Sequence, residues 1–421
     1  MKTQKKKFYG WNMVGALWII YFINMGFALY GGTIISSNML NEIKMDRSMY
    51  GMGFSLQNLF VAIPSMLIAA SIMKFGIKKT YVIGSGLIII GSLWMAAASK
   101  PWQFLVGVGV IIGCGIGFGT VIPTTTAVAR WFNKYRGRVM AFTIAAPAVA
   151  GLIISPLIQS IITQNGGNWR LGWVICAGAV FVSAIIAILF IKDSPESIGQ
   201  EPDGDVTMNL SADANSIKKE TTTYDWTPRQ AYKTVSYWSI IIGACATQYP
   251  FFFFVAHWVL YMEGLKFSIA ISAFTMGIYT ISSLFGRLIG GWLMDTVEAR
   301  IAFISGLVFY VIGSIISINM VQGNLAMAYA ASAFYGLAFG WAFVCMQTIT
   351  ANFYGRKPYP KLNGMVMLIS GTLCAPAALI AGKLFDIYKN YAVSFMVNIV
   401  IVIIGIIALF FAKMPKVEKQ K

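Results

Sequence analysis

Between Tyr81 and Ser99 the chain reads YVIGSGLIIIGSLWMAAAS, and between Ala392 and Ala412 it reads AVSFMVNIVIVIIGIIALFFA. Neither run contains a charged residue. A run of about 20 apolar residues crosses the hydrocarbon core of a bilayer as a helix. Inside lipid the backbone must satisfy its own hydrogen bonds, so runs of this kind are helices. Working outward, the same reading predicts helices near 11–36, 50–73, 81–99, 102–130, 138–164, 170–192, 236–263, 268–294, 299–320, 325–352, 361–386 and 391–413. The fold class is therefore an all-α membrane protein with twelve transmembrane helices. An even count puts both ends on one side.

Composition agrees. Of 421 residues, 57% are hydrophobic and 11% charged, whereas a soluble domain carries about 25% charged residues. The net charge of +17 does not point to nucleic acid, because the basic residues sit in short connectors between apolar runs. Cys114, Cys176, Cys245, Cys345 and Cys374 all lie within apolar runs. They lack metal-ligand spacing and read as small packing residues. No metal or cofactor is expected. The first apolar run is too long for a cleavable signal, with no clear cleavage site.

Connector charges set the orientation. Lys2, Lys5, Lys6 and Lys7 precede the first helix. Lys74, Lys78 and Lys79, then Lys134, Arg136 and Arg138, then Lys218 and Lys219, then Arg356, Lys357 and Lys361 and the tail lysines follow on the same side. The opposite connectors hold few basic residues, such as Lys44, Arg47, Lys100 and Lys266. The positive-inside rule makes both termini cytoplasmic, in a multi-pass inner-membrane protein. The expected division is 1–192 as one six-helix bundle, 193–235 as a cytoplasmic linker and 236–421 as a second bundle with a tail.

The halves repeat. Gly115, Phe118, Gly119 and Phe132 recur as Gly336, Phe339, Gly340 and Phe353, each 221 positions later. Basic connectors also lead into Gly137-Arg-Val-Met140 and Gly364-Met-Val-Met367. A duplicated six-helix unit implies two pseudo-symmetric bundles with a substrate site near the bilayer midplane.

This pattern resembles the major facilitator superfamily. Its Gly-x-x-x-Asp signature is recognisable as Gly291-Trp-Leu-Met-Asp295, followed by Arg300. These three residues are the expected conformational motif. The first copy is degraded, with Ala69 and Met73 at the Gly and Asp positions, although Phe75-Gly76 and Lys78-Lys79 remain. The departure implies a weaker inter-half charge lock on the amino-terminal side. Tyr9-Gly10-Trp11, Arg130-Trp131-Phe132, Arg136-Gly137, the stretch from Ser194 to Gly204, Asp225-Trp-Thr227 and Tyr237-Trp238 further resemble the bacterial monocarboxylate and oxalate/formate carrier group. That resemblance implies transport of small carboxylates by anion exchange or proton symport.

Arg287 is the leading candidate for substrate contact. A charge inside an apolar run costs at least about 2.5–3.5 kcal/mol on insertion scales, so it should face a cavity and a partner. Its planar fork matches a carboxylate. The resembled group has a substrate-binding arginine at this position of helix eight. The alternative is an arginine bonded to protein carbonyls. In the oxalate/formate exchangers a lysine on helix eleven supplies a second cation; here alignment from Asn363-Gly364 puts Ser370 there. In animal-type monocarboxylate carriers an aspartate precedes the arginine by one turn; here that residue is Ser283. One fixed cation suits a monoanion.

Thr124, Thr125 and Thr126 follow Pro123, which frees backbone groups and loosens the helix. Gln347 is the repeat counterpart of Thr126. Tyr30, Asn24 and Tyr279 complete the candidate substrate contacts, against the plainer reading of tyrosines as interfacial anchors. His257, the single histidine, is a candidate for proton coupling by its ordinary pKa, against the plainer reading of a packed residue beside Trp258. The expected partners are a small carboxylate, protons and the bilayer; a monomer is expected. Rivals are a carrier or drug exporter of the same fold with another cargo, and a membrane receptor. Nothing supports an enzyme, since no His, Cys or carboxylate pair clusters in the sequence.

Overall fold

The computed structural model describes residues 8–39, 42–45, 47–202 and 226–415. Lys2, Lys5, Lys6, Lys7, Lys218, Lys219, Asp225, the end of the Ser194–Gly204 stretch, the tail lysines from 416 onward and the side chain of Arg47 lie outside the described residues.

Twelve spans run through the described residues, with no strand among them. Ten helices are long and apolar enough to cross a membrane by length and composition. Arg47–Ala62, which continues into the start of Ser65–Ala96, and Ile269–Thr296 complete the twelve. Span two ends where Gly76, at φ 88 and ψ 171, breaks the helix, and span three begins there. The sequence placed that helix start several residues later. Spans six, seven, eight and ten begin on side-chain caps: Asn168, Thr234, Ser268 and Asn324 each accept from a backbone N–H three residues on. These bonds satisfy donors a helix cannot satisfy itself.

Several spans are interrupted. Gly26–Gly31 in span one and Leu105–Ile112 in span four are π-helical. In span four the break falls at Thr120, with φ −138 and ψ −104. Val121–Trp131 starts after it, so Pro123 sits in a first turn, where a missing N–H costs little. The helix is broken near the proline, just before it at Thr120. Span eleven divides into Tyr359–Cys374 and Ala377–Tyr388 around Ala375 and Pro376.

The chain forms two compact units, one drawn from Met1–Val139 and Val149–Ser216, the other from Met140–Ala148 and Ile217–Lys421. In the first, spans three and six pack extensively, around a core that includes Ile88, Phe104, Ile154, Trp169 and Trp173. In the second, span ten packs on spans eight and nine, and span twelve on spans seven and nine. Phe254 lies at its centre, stacked on Trp258, Tyr279 and Tyr335 with centroids 4.5–4.8 Å apart. Large apolar side chains such as Leu67, Phe181, Leu189, Ile387 and Ile407 are exposed. Surface of this kind is suited to lipid rather than water.

Candidate functional site

Backbone contact between spans eight and ten positions Arg287. A Cβ on Gly340 would meet the carbonyl of Ser283 and the amide nitrogen of Arg287, so the two helices approach without a side chain between them. Arg287 is 8% exposed. Its Nη1 donates to the carbonyl of Ile144 at 2.8 Å, within the Met140–Ala148 segment of span five. Its Nε has no protein partner, and no carboxylate pairs with it among the described residues. The guanidinium carbon lies 5.9 Å from the centroid of Phe339, within cation–π range. Phe251 stacks on Phe339 at 4.2 Å and 10°. The result is a buried cation with an unused N–H beside a flat aromatic wall. Such a group can receive an anion carrying an apolar tail.

Tyr279, Ser283 and Arg287 fall on one face of span eight at successive turns. The Ser283 hydroxyl is buried without a protein partner, and the Tyr279 ring stacks on Phe254. The other candidates are held elsewhere. The Gln347 carbonyl accepts from Tyr359 at 3.3 Å, and its Nε2 lies 3.8 Å from the Met367 sulfur. Ser370 donates to the carbonyl of Val366 at 2.7 Å.

In the first unit Thr124 bonds Tyr81 and the carbonyl of Thr120, and Thr125 bonds the carbonyls of Val121 and Ile122. Only Thr126 of the three has a buried hydroxyl with no protein partner. Asn24 is fully engaged: its amide donates to Gly119 and accepts from Ser183. It ties spans one, four and six together. The Tyr30 ring packs beside Gly151, where a Cβ would meet it at 3.1 Å.

His257 has both ring nitrogens occupied. Nε2 lies 2.8 Å from the carbonyl of Ala378 and Nδ1 lies 3.1 Å from the Tyr391 hydroxyl. The carbonyl cannot donate, so Nε2 carries a proton, while the bond between Nδ1 and the Tyr391 hydroxyl can run in either direction. Gly291 is buried on span eight and Asp295 half-buried near its end. Arg300 pairs with Glu298 and donates to the Phe410 carbonyl at 3.1 Å, joining the start of span nine to the end of span twelve.

Two features escaped the sequence reading. Gln57, in span two, is 1% exposed and neither amide atom has a protein partner; its only signal was an amide inside an apolar run. Asp193 supplies a carboxylate to the turn where Met73 had replaced the signature aspartate. It accepts from the backbone N–H groups of Ile77 and Lys78.

The comparisons with known proteins agree with this architecture. The profile of the Major Facilitator Superfamily matches residues 17–357 and 258–421. Monocarboxylate transporter 13 of Bos taurus is 25% identical over 77% of this chain and 71% of its own. Probable transporter MCH2 of Saccharomyces cerevisiae is 22% identical over 89% of this chain and 76% of its own. Among solved structures, the E. coli fucose:proton symporter FucP superposes with a TM-score of 0.73 at 15% identity, covering 97% of this chain and 100% of that one. With twelve spans in place and the profile matched across nearly their whole length, the chain belongs to the major facilitator superfamily of membrane transporters.

Proposed function

We propose that this transporter carries small monocarboxylates by alternating access, with Arg287 as the fixed cation that receives the carboxylate. One observation carries the reading: Arg287 is buried, keeps an unused Nε–H and has no acidic partner among the described residues. A buried charge that loses its partner costs about 3–5 kcal/mol. A substrate carboxylate satisfies it with charge-assisted bonds. Ser283, one turn away, offers a hydroxyl to the same anion, and Phe339 offers an apolar face to the rest of the molecule. The relative named as a monocarboxylate transporter supports the cargo class. Anion exchange and proton symport both fit the reading.

The expected setting is an inner membrane with both termini cytoplasmic, supported by the basic residues of the connectors. A cysteine in place of exposed Ser197 should resist an impermeant thiol reagent added to intact cells; ready labelling there overturns the orientation.

The substrate reading is tested in proteoliposomes. Arg287→Ala should abolish carboxylate uptake while the protein still inserts and purifies, and Arg287→Lys should leave weak residual uptake. Wild-type transport by Arg287→Ala would remove the assignment.

A further inference from the structure

Outside the Arg287 cluster, spans nine, ten and twelve each contribute fully buried polar groups. Ser314, Ser332, Tyr335, Ser394 and Asn398 are each at most 2% exposed. Phe254, Tyr310 and Phe395 pack around the Tyr335 ring at 4.6, 5.4 and 6.4 Å. The surroundings are thus largely aromatic. Asn398 Nδ2 donates to the Tyr335 hydroxyl at 3.2 Å, and that hydroxyl lies 2.7 Å from Ser314 Oγ.

The hydrogen-bond accounting does not close within the protein. If Tyr335 donates to Ser314, the serine proton has no acceptor; if Ser314 donates, the tyrosine proton has none. In either case one donor is left over. Asn398 Oδ1 is an acceptor left over, since it has no protein partner. The hydroxyls of Ser332 and Ser394 are also buried and unpartnered. Serines elsewhere in the spans bond the carbonyl four residues back, as Ser317 and Ser370 do at 2.8 and 2.7 Å. Ser332 lies one turn from Tyr335, and Ser394 one turn from Asn398, so each shares its neighbour's face. Buried groups of this kind are normally satisfied by protein or by ordered water.

We infer that this cluster is a binding site for an internal water, held by Asn398 Oδ1 and the Tyr335–Ser314 hydroxyl pair. Water both donates to Oδ1 and accepts the spare hydroxyl proton. A monovalent cation would satisfy Oδ1 but reject that proton, and the cluster holds no carboxylate to balance its charge. Ser332 and Ser394, one turn from Tyr335 and Asn398, are the candidates for a further bond, since buried water usually makes about three. The site joins three helices through a neutral ligand whose bonds re-form after a small shift.

X-ray radiolytic labelling of the purified full-length carrier, read by mass spectrometry, tests this. Radicals made from bound water modify adjacent side chains even where bulk solvent is excluded. Tyr335 should be modified an order of magnitude faster than Tyr237, which is equally buried but whose hydroxyl donates to the Leu362 carbonyl at 2.8 Å. Asn398→Leu combined with Ser394→Ala should bring Tyr335 down to the Tyr237 level; should that protein fail to fold, Ser394→Ala alone should lower it measurably. A wild-type Tyr335 as silent as Tyr237 overturns the proposal. Labelling that collapses when choline is replaced by sodium also overturns it, in favour of a cation.

Discussion

Asp193 places a carboxylate oxygen 2.5 Å from the backbone nitrogen of Ile77, across 116 positions of sequence. The same oxygen lies 3.1 Å from the amide of Lys78. These are open donors at the start of span three, where a helix favours negative charge. Gly76 makes the approach possible, because its positive φ turns the chain and a side chain there would fall onto the carboxylate. Arg130 and Trp131 hold the neighbouring carbonyls of Asp193 and Lys192 at 3.3 Å. The loop after span six is thereby fixed to the first unit.

Asp193→Ala should therefore lower stability by about 0.5–2 kcal/mol, the usual cost of losing a helix cap. Asp193→Asn should keep part of it, since the amide oxygen can still accept. Thermal unfolding in detergent measures both. An alanine variant that melts with the wild type would show that the cap contributes nothing.

Glu42 gives a pH dependence. Hydrogen bonds from Arg170 first, then Trp169, hold its carboxyl below the usual carboxylate range. A depressed folded-state pKa means the contribution is present above the unfolded pKa and is lost as pH falls through the folded one. The pair is 41% and 51% exposed, so the effect is small and screened by salt. The melting difference between wild type and Glu42→Gln should be visible at neutral pH and vanish in acid. A difference that grew on acidification would contradict the assignment.

Gly340 and Phe339 should separate packing from cargo recognition. Gly340→Ala forces spans eight and ten apart at Arg287 and should cost about 1–3 kcal/mol through overpacking. Phe339→Ala should fold, yet weaken uptake of acids with large apolar tails more than uptake of acetate. Equal losses for every acid would mean the ring has no part in holding the tail.

Charge selection follows from the buried cations. Arg287 and Arg136 are the buried arginines among the described residues, and Arg136 is spent on the Phe132 carbonyl and Asn133. Lactate and acetate should compete with labelled substrate better than oxalate or succinate. Tighter competition by the dicarboxylates would require a second cation in the site.

The unmatched charge of Arg287 also bears on kinetics. Reorientation of the empty carrier should be slow, and substrate on the far side should accelerate flux. Counterflow with and without an imposed pH gradient measures this. His257, with both nitrogens bonded, should be replaceable by asparagine without removing any effect of the gradient. Loss of that effect in His257→Asn would restore the histidine to the coupling path.

Most spans were legible because a bilayer demands long apolar runs, and ten helices supply them. What the sequence hid depends on contacts between distant positions. Asp193 looked like the first residue of a linker, since nothing local marks a carboxylate that folds back on Gly76. The repeated glycines were visible but their use was not. Gly115 faces Gly84 and Ile88 of span three, whereas Gly336 and Gly340 face Tyr279 and Ser283 of span eight. Among the polar candidates, composition could not separate Thr126, whose hydroxyl is unused, from Thr124 and Thr125, which bond their own helix. That distinction turns on register and rotamer.

The side-chain-free contact at Gly340 limits how a lineage can retune this transporter. An inherited change at that position displaces the arginine and its helix together, so it offers no graded steps. Residue 339 has no such restriction, because it contributes a ring rather than a backbone approach. Changes in the ring's size and shape are therefore open to descendants, while the backbone approach that holds Arg287 is carried forward unaltered.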